Sequence, residues 1–372
     1  MIDGVSGQTG YEEIGLMAHG GVRVAELRQL GLDANEVIDF SASVNPYGPS
    51  PVVRRALQQV RLDRYPDVDC TELLEHLSQM VGRPAEWLMP GNGATELIHA
   101  AARVWAGPGL VVGHVPPTFG EYAAAASAIG APVRALAADA LGDSRLMVDR
   151  PALLFLCNPN NPTGELLTQA YVERTLAMMA PRPVVVDEAY IRFVNDAWSI
   201  LPLLDRFENL VVIRSMTKDY GLTALRLGYA LARPERIAEI KRLLPPWNVN
   251  GLAQAAGVAA LKDPTYIDVT LGKMSRSKVG LVRGLRALRL PVVEGAANFV
   301  LAEVGSGERV RTALAHRGIL VRDCYSFGLP RHIRIAVRRP AEHRRLLAVL
   351  AGIISEDDSV PVEQRTIAII DE

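Results

Sequence analysis

Four short runs of the chain contain residues whose types and spacing could do chemistry together. Gly91–Ile98 is a glycine-rich turn that leads into a helical pattern, so its amide groups and the helix N-terminus could bind an anion. Cys157–Gly164 follows an apolar run and places Asn161 between two prolines. The other two runs place Asp187 and Lys218 directly after apolar segments. An amide, an acid and a lysine therefore follow apolar segments, and an anion-binding turn leads into a helix.

Each run also has a plain structural explanation. The glycine-rich turn could only cap a helix, and Cys157–Gly164 could be a rigid turn in which asparagine bonds to its own backbone. A single aspartate is often a cap, and a single lysine is usually a surface charge. The combination is more informative, because a phosphate-binding turn, an asparagine, a carboxylate for a ring nitrogen and a lysine that forms a Schiff base are what pyridoxal phosphate needs.

The elements that must position these runs alternate along the middle of the chain. Apolar segments predict strands at Leu110–Gly113, Val133–Leu136, Ala152–Leu156, Val184–Val186, Leu210–Ile213 and Leu227–Leu231. Amphipathic segments predict helices at Thr95–Trp105, Phe119–Ile129, Ala170–Met179 and Ser199–Leu204. This alternation is typical of an α/β fold, with a mostly parallel sheet covered by helices on both faces. Ligands bind at the carboxyl ends of such strands.

A second region begins after Pro245-Pro246-Trp247, where prolines end a helix. Its pattern predicts α+β structure, with helices at Leu252–Leu261, at Tyr266–Leu288 and from Ala341, and strands at Asn298–Ala302, Ile319–Val321 and Ile333–Val337. We therefore predict a large domain over 48–245 and a smaller one over 246–354. Residues 1–47 should pack against the smaller domain, and the placement of 355–372 is left open.

Composition excludes several classes of protein. The 372 residues carry 40 Lys and Arg against 41 Asp and Glu, so no basic excess exists for nucleic acid or an anionic membrane. No apolar run approaches the ~18 residues that span a bilayer, and the first ten residues do not resemble a signal peptide. The three cysteines form no CxxC pair, which disfavours a disulfide framework or a thiolate metal site. We expect a globular, cytoplasmic protein without a metal.

The runs NPNNPTG, VVDEAY and SMTKDYGLTALRLGY resemble the signatures of fold-type I pyridoxal-phosphate enzymes of the aminotransferase class I/II group. The likeness extends from about His19 to about Leu350. It implies a large cofactor-binding domain with a smaller α+β domain, pyridoxal 5′-phosphate as the cofactor, and a homodimer with shared active sites. A non-catalytic, regulatory relative is disfavoured, because Lys218 and Asp187 are both present.

The resemblance also implies roles for individual residues. Lys218 would be joined to the cofactor and move protons, Asp187 would pair with the ring nitrogen, and Tyr190 would bond the ring hydroxyl. These three are the predicted catalytic residues. The further residues that the likeness assigns to the cofactor are Gly93, Ala94, Thr95, Phe119, Asn161, Ser215 and Arg226, with Tyr65 reaching the phosphate in the neighbouring subunit.

Within the group, the N-terminal run from Asp39 to Pro49 and the arginines near the end of the chain are similar to L-threonine O-3-phosphate decarboxylase. This likeness implies decarboxylation to (R)-1-aminopropan-2-yl phosphate in cobalamin biosynthesis. The alternative is a histidinol-phosphate-type aminotransferase that passes the amino group to 2-oxoglutarate, which the run Thr217–Leu222 favours. The substrate-binding residues implied are His19, Asn45, Arg322, Arg334 and Arg338.

Overall fold

The computed structural model describes residues 20–142, 149–194 and 199–358. His19 and most of the segment 355–372 lie outside the described residues. Within the described part of the chain, no helix is both long enough and apolar enough to cross a membrane.

Thirteen strands are described, and we number them along the chain. They are β1 Ile38–Asp39, β2 Leu88–Asn92, β3 Val112–His114, β4 Val133–Ala135, β5 Leu153–Cys157, β6 Val184–Asp187, β7 Leu210–Ser215, β8 Leu227–Ala232, β9 Val292–Val293, β10 Phe299–Glu303, β11 Ile319–Leu320, β12 Arg322–Asp323 and β13 His332–Ala336.

The described α-helices are numbered in the same way. They are α1 Val24–Gln29, α2 Pro51–Leu57, α3 Thr71–Val81, α4 Gly93–Trp105, α5 Glu121–Ser127, α6 Gln169–Met179, α7 Pro234–Lys241, α8 Gly251–Leu261, α9 Pro264–Ala287, α10 Gly307–Ala315 and α11 Pro340–Asp358. The segment that we predicted as a helix at Ser199–Leu204 is a 3-10 helix over Leu201–Asp205.

A seven-stranded sheet forms the larger unit. Its strand order is β2-β8-β7-β6-β5-β3-β4, and only β8 runs against its neighbours. The central strands β5 and β6 are buried along their whole length, because helices cover both faces of the sheet. The predicted α/β class and mostly parallel sheet are confirmed.

The smaller unit is built on an antiparallel sheet of order β12-β13-β10-β9, packed against α9, α10 and α11. The N-terminal segment joins this unit: β1 pairs in parallel with β11, and the amide of Ala336 donates to the carbonyl of Phe40 at 2.9 Å. Phe40 is fully buried in the apolar core of this unit. The segment is therefore tied to elements that come almost three hundred residues later in the chain.

Helix α8 packs differently from our expectation. We assigned it to the smaller domain, but its buried alanines lie in the same apolar cluster as Leu73 and Leu77 of α3 and Leu227 of β8. A division based on packing would therefore fall after α8 rather than at residue 245. The domain division itself stays a prediction.

Candidate active site

The chemistry-bearing runs meet at one edge of the larger sheet. Asp187 is the last residue of β6, and it aligns with Cys157 at the end of β5 and with Ile213 on β7. Lys218 follows the end of β7 by three residues. Because these strands are parallel, their carboxyl ends bring the acid, the lysine and the Asn161 turn together.

The first turn of α4 reaches the same edge through β2, which our sequence analysis missed. This strand pairs with β8, and Gly91 and Ser215 are both aligned with Gly228. Gly228 permits close packing, because a Cβ there would lie 2.7 Å from the backbone nitrogen of Ala94. The anion-binding turn and the end of β7 are therefore held side by side.

These residues line an inner compartment. Its lining comprises Ala94, Thr95, Phe119, Cys157, Asn161, Asp187, Ala189, Tyr190, Ser215, Thr217, Lys218 and Arg226. The set includes nine of the residues that we predicted for the cofactor or for catalysis. Gly93 borders it, because a Cβ on Gly93 would lie 2.8 Å from Nη2 of Arg226.

Lys218 projects into this compartment from a polar turn. Its Nζ lies 6.0 Å from the centroid of the Tyr190 ring. Burial, together with the positive charges of Arg334 and Arg226, lowers the pKa of Lys218 to about 8, while Asp187 opposes this shift. The amine is thus a better nucleophile and base near neutral pH than an exposed lysine.

Asp187 is buried beneath the compartment and held on both oxygens. The Tyr122 hydroxyl donates to Oδ2 at 2.9 Å, and the Ala189 amide donates to Oδ1 at 3.0 Å. Burial raises the pKa of Asp187, whereas these hydrogen bonds and Lys218 oppose the rise. Burial also raises the pKa of Tyr122 well above its ordinary value, so this hydroxyl keeps its proton.

Tyr122 is a functional residue that we missed from the sequence. It lies three residues after Phe119, in a run where only Phe119 was given a role. Its ring stacks on Phe155 with centroids 4.9 Å apart, which fixes the direction of the hydroxyl. The sequence did contain a signal for Tyr122. Residues three apart in a predicted helix share a face, and Phe119 had already been assigned to the site.

The anion-binding end of the compartment combines a glycine, an arginine and hydroxyl groups. Gly93 has a φ of +77° at the start of α4, and Arg226 has a φ of +59° just before β8. The Ser215 and Thr217 hydroxyls lie 2.6 Å apart. Amides at a helix N-terminus, a guanidinium and hydroxyls form a donor set suited to a phosphate dianion.

An outer compartment opens from the inner one, and residues such as Lys218, Tyr190 and Phe119 line both. Its wall contains Arg322 and Arg334, which face each other as register partners on β12 and β13. Both side chains are buried. Two guanidinium groups side by side are suited to anionic groups on a substrate.

Protein groups hold both arginines in place. Arg334 donates to Asn161 Oδ1 and, at 2.8 Å, to the carbonyl of Ser41. Arg322 donates to the Ser326 hydroxyl at 2.6 Å and contacts Asp323 at 3.3 Å. Burial lowers the pKa of Arg322, while Asp323 raises it. The two side chains are therefore pre-oriented toward the outer compartment.

Two predicted substrate residues, Asn45 and Arg338, are not among the described residues that line this cavity. His19 lies outside the described residues, although Gly20 and Gly21 line the outer compartment. Arg338 bonds Glu342 at 2.7 Å and the Asp39 carbonyl at 2.9 Å, because β13 has ended before it. Asn45 bonds backbone and Thr270 instead. These contacts give Arg338 and Asn45 other partners, and their substrate roles stay predictions.

Tyr65 lies away from the inner compartment of its own chain. It is 82% exposed and stacks on Trp247 with ring centroids 4.7 Å apart. This position leaves the predicted contact with a neighbouring subunit untested.

The inner compartment fits pyridoxal 5′-phosphate on the chemistry of its donors. A phosphate-binding end, a lysine, an aromatic wall at Phe119 and a buried carboxylate opposite the phosphate end match the functional groups of that molecule. Fold and site together define a pyridoxal-phosphate-dependent enzyme of fold type I.

Comparisons with known proteins place the chain in a family. Residues 35–350 match the model of aminotransferase class I and II, and the chain belongs to that family. Its cofactor is pyridoxal 5′-phosphate. A relative from Symbiobacterium thermophilum, named histidinol-phosphate aminotransferase, is 38% identical over 88% of this chain and 93% of its own.

Two solved structures share the fold at 25% identity. The histidinol-phosphate aminotransferase from Clostridium acetobutylicum has a TM-score of 0.78 and covers 85% of this chain and 99% of its own. The L-threonine-O-3-phosphate decarboxylase from Porphyromonas gingivalis has a TM-score of 0.76, with the same two coverages. The fold therefore does not separate the two reactions.

Our prediction of threonine-phosphate decarboxylation is wrong. The relative that matches at 38% identity is named an aminotransferase, as is a 35% identical relative from Cupriavidus pinatubonensis. The N-terminal and arginine-rich runs misled us because both reactions use anionic substrates and need similar cations.

Proposed function

We propose that this enzyme is a histidinol-phosphate-type aminotransferase, which moves the amino group of a phosphorylated amino alcohol to 2-oxoglutarate. The observation that carries the proposal is the pair Arg322 and Arg334, aligned on adjacent strands in the outer compartment that Lys218 also lines. The 38% identical relative supports the choice of reaction.

The arginine pair suits two substrates that bind in turn. The amino donor carries a phosphate dianion, whereas 2-oxoglutarate carries two carboxylates. Guanidinium groups can bind either kind of anion through paired, charge-assisted hydrogen bonds. One pre-oriented pair therefore serves both half-reactions without a rearrangement of the site.

When bound, pyridoxal 5′-phosphate supplies an electron-accepting ring that stabilises the charge left when a proton leaves Cα and that carries the amino group between substrates. The amides at the start of α4, together with Ser215 and Arg226, would hold its phosphate. Asp187 would pair with the ring nitrogen and keep it protonated. Tyr122 keeps the Asp187 carboxylate oriented and favours its charged form, and Phe119 would cover the ring.

Lys218 would hold the cofactor covalently, and its amine would move the proton at Cα. A pKa of about 8 leaves a sizeable unprotonated fraction near neutral pH, which a general base requires. Tyr190 and Asn161 would bond the ring hydroxyl. Arg334 donates to Asn161, so one amide would align the substrate anion with the cofactor ring.

A homodimer completes this proposal. Tyr65 stacks on Trp247, and these two side chains, which are 82% and 44% exposed, form an exposed apolar cluster. A second copy of the chain would cover this cluster and receive Tyr65 near its own phosphate end. The cytoplasmic location that we predicted stays a prediction.

Paired assays test the reaction. The holoenzyme, given histidinol phosphate and 2-oxoglutarate, should form glutamate, and Lys218→Ala should abolish both glutamate formation and the borohydride-reducible adduct. Arg334→Met should lower kcat/KM about 10- to 100-fold, since a charged hydrogen bond contributes about 1.5–3 kcal/mol. Arg338→Met makes the same change outside the cavity, and its kcat/KM should stay within about threefold of the parent value. Absence of glutamate formation would refute the reaction.

Complementation tests the dimer. Lys218→Ala and Tyr65→Ala should each have low activity, yet a refolded mixture should regain part of it. In a mixed dimer, one of the two sites combines an intact Lys218 with an intact Tyr65. A mixture no more active than its components would rule out the shared site.

A further inference from the structure

Asn45 binds the turn that carries Lys218 through two consecutive carbonyl groups. Its backbone amide donates to the Lys218 carbonyl at 2.8 Å, and its Nδ2 donates to the Asp219 carbonyl at 2.9 Å. Asn45 lies between β1 and α2, far from this turn in the chain. One residue therefore binds the two successive peptide units that follow the lysine.

The same side chain reaches helix α9 of the smaller unit. Nδ2 also donates to the Thr270 hydroxyl at 2.9 Å, and that hydroxyl donates its own proton to the Ile267 carbonyl at 3.0 Å. Thr270 is therefore an acceptor toward Asn45. The turn, the N-terminal segment and the smaller unit meet at one amide group.

The hydrogen-bond inventory leaves the Asn45 amide only one orientation. Its Oδ1 accepts from the Tyr47 amide at 3.0 Å, and both Nδ2 protons are used. A flipped amide would set Oδ1 against the Asp219 carbonyl and leave buried groups unpaired, which is unfavourable. Asn45 is only 3% exposed, so water cannot replace the lost bonds.

A second contact ties the same turn to α9. The Asp219 carboxylate lies 3.7 Å from Arg192, and Arg192 lies 3.5 Å from Asp268 on α9. Both of these distances are longer than the hydrogen bonds of Asn45, and Asp268 is largely exposed. The Arg192 contacts therefore support the turn less strongly than Asn45 does.

We infer that Asn45 is a positioning residue, which holds the backbone of Lys218 against helix α9 so that the amine keeps its direction into the cofactor compartment. The inference rests on the proposed function, because it gives Lys218 its role in proton transfer. It replaces the substrate contact that we first predicted for Asn45. A residue that acts through Lys218 should affect turnover and leave substrate binding unchanged.

Three variants test this inference. Asn45→Ala removes the side-chain hydrogen bonds to the turn and to α9. Thr270→Val removes the bond from Asn45 to α9, and with it the bond from the Thr270 hydroxyl to the Ile267 carbonyl, with little change in shape. Asn35→Ala is the matched control, because Asn35 is exposed and its side chain bonds only Asp33. Hydrogen exchange on the full chain without cofactor is followed in the peptide that covers 216–222. Exchange should be at least tenfold faster in Asn45→Ala, intermediate in Thr270→Val and unchanged in Asn35→Ala.

Kinetics of the holoenzyme give the second measurement. For any amino donor that the holoenzyme accepts, Asn45→Ala should lower kcat at least tenfold and leave KM within about twofold. A raised KM with unchanged kcat would restore the substrate role, and unchanged exchange at 216–222 would overturn the positioning role. If Asn45→Ala fails to fold, the exchange rate at 216–222 in Thr270→Val tests the positioning role instead. The exchange rate at 216–222 does not depend on which reaction the enzyme catalyses. A failed glutamate assay would therefore refute the proposed reaction without refuting the positioning role of Asn45.

Discussion

Replacing Gly93 with alanine would perturb the anion-binding end of the site at one known contact. Gly93 has a φ of +77°, and a Cβ there would lie 2.8 Å from Nη2 and 3.3 Å from Cζ of Arg226. Ordinary contacts begin at about 3.4 Å. The Arg226 guanidinium must therefore move away from the helix N-terminus where, in our proposal, it holds the cofactor phosphate.

The expected effect of Gly93→Ala has two parts. A side chain in the left-handed region costs about 1–2 kcal/mol of stability. Displacement of Arg226 weakens a charge-assisted hydrogen bond to phosphate, which contributes about 1.5–3 kcal/mol and corresponds to a 10- to 100-fold rise in the Kd for pyridoxal phosphate. The first part acts on folding and the second on cofactor binding, so they are measured separately.

Gly82→Ala is the control for backbone strain. Gly82 ends α3 with a φ of +66°, and a Cβ there would have no neighbour within 4 Å. Urea unfolding of the apoproteins should show a similar loss of stability in both variants. Titration with pyridoxal phosphate should show weaker binding in Gly93→Ala alone. Equal affinities in the two variants would refute the role of Arg226.

Three further predictions concern buried groups. Tyr122→Phe removes the hydroxyl that donates to Asp187 at 2.9 Å and should lower the free energy of unfolding by about 1–3 kcal/mol at pH 7, as measured in urea; no loss would show that this bond is unimportant. The folded pKa of Lys218 is about 8 against an ordinary 10.5, so the unfolded chain binds more protons between these values, and this group makes apoprotein stability rise with pH in that window. Lys218→Met should therefore be more stable than the parent by up to about 3 kcal/mol at pH 7.5, with the difference vanishing near pH 11; a difference independent of pH would contradict the shift. Gly228→Ala would place a Cβ 2.7 Å from the Ala94 nitrogen and should lower the free energy of unfolding by about 1–3 kcal/mol, whereas an unaffected urea midpoint would argue against this packing.

Much of the larger unit could be predicted because its strands are continuous apolar runs. The predicted segment at 152–156 begins one residue before β5 and otherwise falls inside it, and the segments at 184–186 and 210–213 fall inside β6 and β7. Strand β2 was missed because its sequence, LMPGN, contains proline and glycine, which normally weaken a strand. Its pairing with the reversed strand β8 is a long-range feature that local periodicity cannot reveal.

The inner compartment was easier to predict than the outer one. Its residues follow strand ends, and parallel strands bring such ends together. For the arginines, the decisive fact is where β13 ends. Arg334 lies within the strand and faces the cavity, whereas Arg338 lies two residues beyond Ala336 and turns to Glu342. Sequence spacing alone gives both residues the same strand face, so it could not separate them.

The pairing of β1 with β11 has a consequence for synthesis of the chain. Phe40 leaves the ribosome early, but its partner Leu320 emerges only after the whole seven-stranded sheet has been made. At typical translation rates this interval lasts from about ten seconds to a minute. During that time Phe40 lacks the strand that later covers it, so we expect chaperones that shield nascent chains to bind this segment.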